Sequence, residues 1–169
     1  KAARKVIEQA PGEVEVYAKT GVIHSVITGS MEVAGKTPEE RISNYFDENS
    51  DLYQIDQFSQ TFEPVKQFDQ VSGVQVRQYQ QAVDGIPVYQ ADIRVLLDSK
   101  GKIALVNSNY MPDSEIPSTL KPKMNSTEAS RAMQALGFVL SEDENPSLVI
   151  YSPAMVGEVE RSFLAWVAK

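Results

Sequence analysis

The chain has no cysteine among its 169 residues. That absence excludes thiol nucleophiles, thiolate metal sites and disulfides together, while leaving the redox compartment open. Histidine is almost as scarce. His24 is the only one, which excludes His-pair metal sites and leaves a single imidazole base with no second His or Cys at ligand spacing. A lone strand histidine of this kind reads as a surface or satisfied core residue. No apolar run approaches the roughly 18 residues of a membrane span. The basic start Lys1-Ala-Ala-Arg-Lys5 is followed only by Val6 and Ile7 before Glu8, so it does not read as a signal peptide. With no Met at position 1, the expectation is a processed piece of a longer chain. Positive charge is also short: 16 Lys and Arg against 23 Asp and Glu leave a net charge of −7. That balance argues against nucleic-acid and anionic-membrane partners and reads first as a solubilising charge. The G-x-S-x-G elbow, the Walker loop, G-x-G-x-x-G and H-E-x-x-H are all missing.

What is present is ordinary for a soluble domain: 42% hydrophobic and 23% charged residues, enough for one domain or two small ones. The organising stretch runs from Val74 to Met111. It holds three Val-, Ile-, Tyr- and Leu-rich runs separated by the turn signals Asp84-Gly85 and Asp98-Ser99-Lys100-Gly101, which predicts an antiparallel meander. In the middle run Ile93, Val95 and Leu97 share one face, and Asp92, Arg94 and Asp98 share the other. Pro87 belongs at a strand start or on an edge.

Around the meander the signals are local. Residues 1–10 predict about two helical turns stopped by Pro11-Gly12. Glu13 to Val33 reads as a hairpin turning at Thr20-Gly21. Thr37-Pro38-Glu39-Glu40 predicts a helix start with Thr37 as cap and Glu40 completing a capping box, and Ile42, Tyr45 and Phe46 form its apolar face. Leu52 to Ile55 and Phe58 read as an apolar connector, and Phe62 to Phe68 as an edge strand demoted by Pro64. The three prolines of 112–125 mark a linker. Asn125 and Glu128 then cap a second helix with Ala129, Ala132, Met133 and Leu136 on one stripe, ended by Gly137. Strands are expected at 147–153 and 162–169. The acidic clusters Glu39-Glu40, Asp47-Glu48 and Glu142-Asp143-Glu144 read as helix-start chemistry and solvated faces. The residues by themselves thus predict a two-part α+β binding or regulatory protein, with nothing that favours a paired-carboxylate hydrolase.

The order of these pieces resembles a known family. Gln80-Gln81, Gly85-Ile86-Pro87-Val88-Tyr89, Ala91-Asp92-Ile93, Asp98 with Gly101-Lys102-Ile103, and Asn107-Ser108 together are similar to the fungalysin/thermolysin propeptide domain. Ser126-Thr127-Glu128-Ala129, Ala132, Leu136-Gly137, Val149 to Pro153 and Leu164-Ala165-Trp166-Val167 resemble the PepSY-type unit that accompanies it. The likeness covers roughly residues 35–169 and is densest over 73–110. Gln90 departs from it, standing where many relatives carry Gly or Asn, and Asn107-Ser108-Asn109 varies the usual return strand.

The resemblance implies a cystatin-like α+β domain over 1–111, an antiparallel sheet packed on a helix. A linker at 112–125 would follow, then a smaller, incomplete PepSY-like helix-on-sheet unit over 126–169. It also implies the pro-region of a secreted zinc metallopeptidase, assisting folding of the protease domain and inhibiting it until cleaved. The partner would be the cognate catalytic domain, with no nucleic acid or membrane involved. No catalytic, metal or cofactor residue is expected in this chain, the zinc lying in the protease domain. Tyr110, Tyr151, Phe163 and Trp166 are the candidate interface anchors. Two alternatives compete. One is a stand-alone extracellular or envelope binding module of the same fold. The other is a small enzyme with a pocket between helix 38–49 and the sheet.

Overall fold

The computed structural model describes residues 14–16, 23–70, 72–140, 145–156 and 161–168. The helix expected over 1–10, the turn at Thr20-Gly21 and the cluster Glu142-Asp143-Glu144 lie outside these residues.

Asp84 and Gly85 both take positive φ, 50° and 74°. This is the two-residue primed turn whose twist matches the flanking strands. It joins β4 (Gln75–Val83) to β5 (Ile86–Leu97). The second turn closes on Asp98, whose Oδ1 accepts from the backbone N–H groups of Lys100 and Lys102 at 2.8 and 2.9 Å. It leads into β6 (Ile103–Asn109). Earlier come β1 (Val14–Val16), β2 (Ile23–Met31) and β3 (Phe62–Asp69); later come β7 (Ser147–Tyr151) and β8 (Phe163–Val167). The strand order is β1-β2-β6-β5-β4-β3. β7 joins β5 in parallel at Val88 and Ile150, and β8 pairs β7 antiparallel. The result is an α+β fold on a curled, mixed sheet. As the alternation predicts, Ile93, Val95 and Leu97 are fully buried.

Helix α1 (Pro38–Glu48) starts where its cap predicts, Thr37 accepting from the Glu40 N–H at 3.1 Å. The reciprocal bond differs from a capping box: Glu40 Oε2 accepts from Lys36 N, one residue before the cap, at 2.6 Å. The apolar connector resolves into two short helices, α2 (Ser50–Tyr53) and α3 (Phe58–Thr61). Their aromatics stack with those of α1: Phe46 lies 4.3 Å from Phe58, and Phe58 lies 5.0 Å from Phe62. These rings, with the inner faces of β2, β4, β5 and β6, form the main core.

A second, smaller core gathers Val88, Ala91, Met111 and Ile150. Gln90 makes it possible. Its φ of 58°, beside a register shift between Gln80 and Ala82 on β4, bends β5 so that its first half meets β7 and its second half meets β6. The proline-bearing stretch after Met111 is laid against this core, with Ile116 and Leu120 packed on it. Helix α4 (Ser126–Ala135) has the full capping box at Asn125 and Glu128. It ends with Phe138 N–H donating to Met133 O and Gly137 N–H to Gln134 O, the Schellman pattern. Its apolar stripe is only partly covered: Ala129 is buried, but Leu136 is 78% exposed.

Candidate interaction surface

Several titratable side chains are tied into the fold. Arg77, 6% exposed, reaches from β4 to Glu39 on α1 at 3.0 Å and to Asp69 on β3 at 2.8 Å. Burial alone would raise the pKa of Glu39, but its backbone hydrogen bond and Arg77 together hold it below the usual carboxylate value. Asp47 accepts from the Phe58 N–H at 3.3 Å, fixing the start of α3. His24 Nδ1 lies 2.8 Å from the carbonyl of Ser108, across the β2–β6 pair. Among the described residues no three His, Asp or Glu side chains converge as metal ligands.

The buried hydroxyls are likewise structural. Tyr45 and Tyr53 share a bond of 2.8 Å, and Tyr110 donates to the Tyr53 carbonyl. Burial raises all three phenols, Tyr53 most plainly, and pushes Tyr79 up to about 12.

The four expected anchors separate. Tyr110 is 3% exposed and belongs to the main core. Tyr151 and Phe163 stand on one face of the β7–β8 pair, where they form an aromatic row with Tyr89 at centroid spacings of 6.2 and 5.5 Å. Phe163 and Tyr89 are exposed on it. Trp166 points to the opposite face, opposite Leu148 in register. That face borders a groove of about 780 Å³, also lined by residues 115–119 and 121–124.

Sequence reasoning missed several of the residues that shape this surface. Gln81 is fully buried and works as a one-residue strand: its Nε2 donates to Met111 O at 2.6 Å, and its Oε1 accepts from Met111 N at 2.8 Å. This pins the start of the proline-bearing stretch. Gln80 Nε2 donates to Val88 O and Ala91 O at 2.7 and 2.8 Å, bracketing the bend at Gln90. Ser162 brings a buried hydroxyl to the groove wall. The signal available beforehand was compositional: Lys121 and Lys123 sit two apart in an otherwise acidic chain.

The sequence profile of the Fungalysin/Thermolysin Propeptide Motif matches residues 60–110. The matched span runs from the end of α3 through β3, β4, β5 and β6, and so contains both glutamine staples and both meander turns. A search of curated proteins finds no match.

Proposed function

We propose that this chain is the non-catalytic pro-region of a secreted zinc metallopeptidase of the thermolysin or fungalysin type. It would assist folding of the protease domain and inhibit that domain until proteolysis removes it. The carrying observation is the propeptide motif over residues 60–110, which coincides with the entire meander. We read residues 1–111 as a cystatin-like propeptide domain, 112–125 as the connecting stretch and 126–169 as a PepSY-like unit.

A folding template acts by binding the native or near-native partner better than its unfolded chain, so it must offer a rigid surface with a few apolar anchors. The row of Tyr89, Tyr151 and Phe163, exposed at Tyr89 and Phe163, supports that role, with Trp166 on the other face as a further anchor. Tyr110 contributes by fixing Tyr53 from within. The zinc and its H-E-x-x-H ligands belong to the protease domain.

Reading the coding sequence beyond Lys169 tests this directly. The expected result is H-E-x-x-H on a helix with a further Glu downstream, and suppression of that protease by the purified chain. A reading frame that closes without a zinc motif overturns the proposal. The chain is then a free-standing binding module.

A further inference from the structure

Three stretches meet around a cavity of about 440 Å³: residues 32–35 after β2, Arg41 in α1, and Lys100-Gly101-Lys102 in the turn between β5 and β6. Arg41 is its fixed part. The Nε of Arg41 donates to Gly35 O and its Nη1 to Gly101 O, both at 3.0 Å. Both acceptors are glycines, and a Cβ on either would run into the Arg41 side chain. The guanidinium is therefore clamped between two backbone segments that make room for it. These bonds use two of its five N–H groups. The residue is half-buried, yet it is in no ion pair among the described residues. A guanidinium drawn partly out of water and given only neutral carbonyls is short of a counter-charge. Arg77 shows the contrast, meeting both Glu39 and Asp69.

The nearby carboxylates do not supply that charge. Asp98 is spent on its own turn, its Oδ1 accepting from the N–H groups of Lys100 and Lys102, and it does not line the cavity. Glu32 does line it and pairs Lys102 at 3.2 Å, but Glu32 is 83% exposed, and a pair so open to water is weak. Lys100 is exposed and in no ion pair among the described residues. The lining thus sets the three cations Arg41, Lys100 and Lys102 against the one carboxylate of Glu32, an excess of two positive charges. In a chain of net charge −7 this is a local reversal of sign.

We propose that this cavity binds a small dianionic oxyanion ligand, a phosphate group or a dicarboxylate. The unused N–H groups of Arg41 donate to its oxygens, and Lys100 and Lys102 add the further positive charge that matches a dianion. The clamp on Arg41 means that little side-chain freedom is lost when the ligand arrives. Such binding goes beyond the pro-region reading and does not depend on it.

The test is a magnetic-resonance titration of the isotope-labelled full chain at neutral pH. Inorganic phosphate is added in one series and succinate in another, with the ionic strength held constant by sodium chloride. The expected result is a saturable shift of the Arg41 Nε–H and of the Gly35, Gly101 and Lys102 amides with at least one probe. The probe that binds more tightly names the head group. Lys100 is exposed, so Lys100→Glu should leave the spectrum away from the cavity unchanged and weaken binding about tenfold or more. Arg41→Lys keeps the charge and loses the planar fork, so it should weaken binding to a similar degree. If that variant does not fold, Lys100→Glu decides alone. Three results would overturn the proposal: shifts that fail to saturate with both probes, saturation only at residues away from the cavity, or undiminished binding by Lys100→Glu.

Discussion

Gln81 does the most for its size. Its amide closes two hydrogen bonds with the backbone of Met111 inside the protein, where water cannot replace them. Gln81→Leu keeps the volume and strands both Met111 groups, so a loss of about 2–4 kcal/mol is expected from the urea midpoint. A loss under about 0.5 kcal/mol would mean that Met111 finds other partners. Asp113 is the opposite case. Burial raises its pKa above the usual 3.8, although its Oδ2 accepts from the Asp56 N–H at 3.2 Å. A carboxyl whose folded pKa is raised binds more protons folded than unfolded, so its ionisation costs stability as pH rises from 3.8 through the folded value. Asp113→Asn keeps an acceptor and removes the charge. It should therefore stabilise the chain at neutral pH, with the gain vanishing well below 3.8. Denaturant midpoints at the two pH values check it, and a gain of equal size at both would point to packing instead.

At the scale of elements, Gln90 is the hinge of β5, held in the left-handed region with its carbonyl accepting from Asn109 Nδ2 at 2.9 Å. Glycine adopts that conformation without penalty, so Gln90→Gly should stabilise by about 0.5–1 kcal/mol provided the Asn109 bond persists. Calorimetry would show the rise in Tm, and a fall would mean that the side chain itself supports the bend. The turn at Gly101 responds in the other direction. Its φ is 73°, a Cβ there would run into the Arg41 guanidinium, and that guanidinium donates to Gly101 O at 3.0 Å. Gly101→Ala should cost about 1–2 kcal/mol by the same measurement.

These elements also show what a sequence can disclose. The meander, both turns, the edge strand at Pro64, the Thr37 cap and the Asn125 box are written in local residue chemistry, and each forms where that chemistry places it. What depends on distant partners was not legible. The link of β7 to β5 rests on one bridge across 62 positions, Val88 to Ile150, and the burial of Ile116 and Leu120 turns a stretch that reads as free linker into the wall of a groove. Helix α4 is the converse: its stripe predicts burial, but amphipathicity specifies a face and not what covers it. Tyr110 and Phe163 look alike as strand aromatics, yet one lies in a core and the other on a surface, a difference set by sheet curl.

At the scale of the whole molecule, the two cores differ in how they resist base. The main core holds Tyr45, Tyr53, Tyr79 and Tyr110, and the smaller one holds aliphatic side chains and Met111. Burial raises each of the four phenols above its ordinary value of 10, Tyr79 to about 12. A phenol raised by folding stays protonated in the native state after its unfolded counterpart has ionised. Its contribution is therefore intact below pH 10 and is lost as pH climbs through the folded value. Because Tyr45, Tyr53 and Tyr110 are tied through one another and through the Tyr53 carbonyl, a charge on one cannot be accommodated without opening α1 and α2, which carry Tyr45 and Tyr53, away from Tyr110 at the end of β6. Base should therefore unfold the main core as a unit: phenolate absorbance from these four rises in one cooperative step together with loss of the far-UV signal. Reversible ionisation with the far-UV spectrum intact would show instead that water reaches the hydroxyls through local opening. Tyr53→Phe separates the cases further. It removes one hydroxyl and leaves that of Tyr45 unpaired, lowering stability at neutral pH, yet it should make the alkaline transition shallower because one fewer raised phenol drives it.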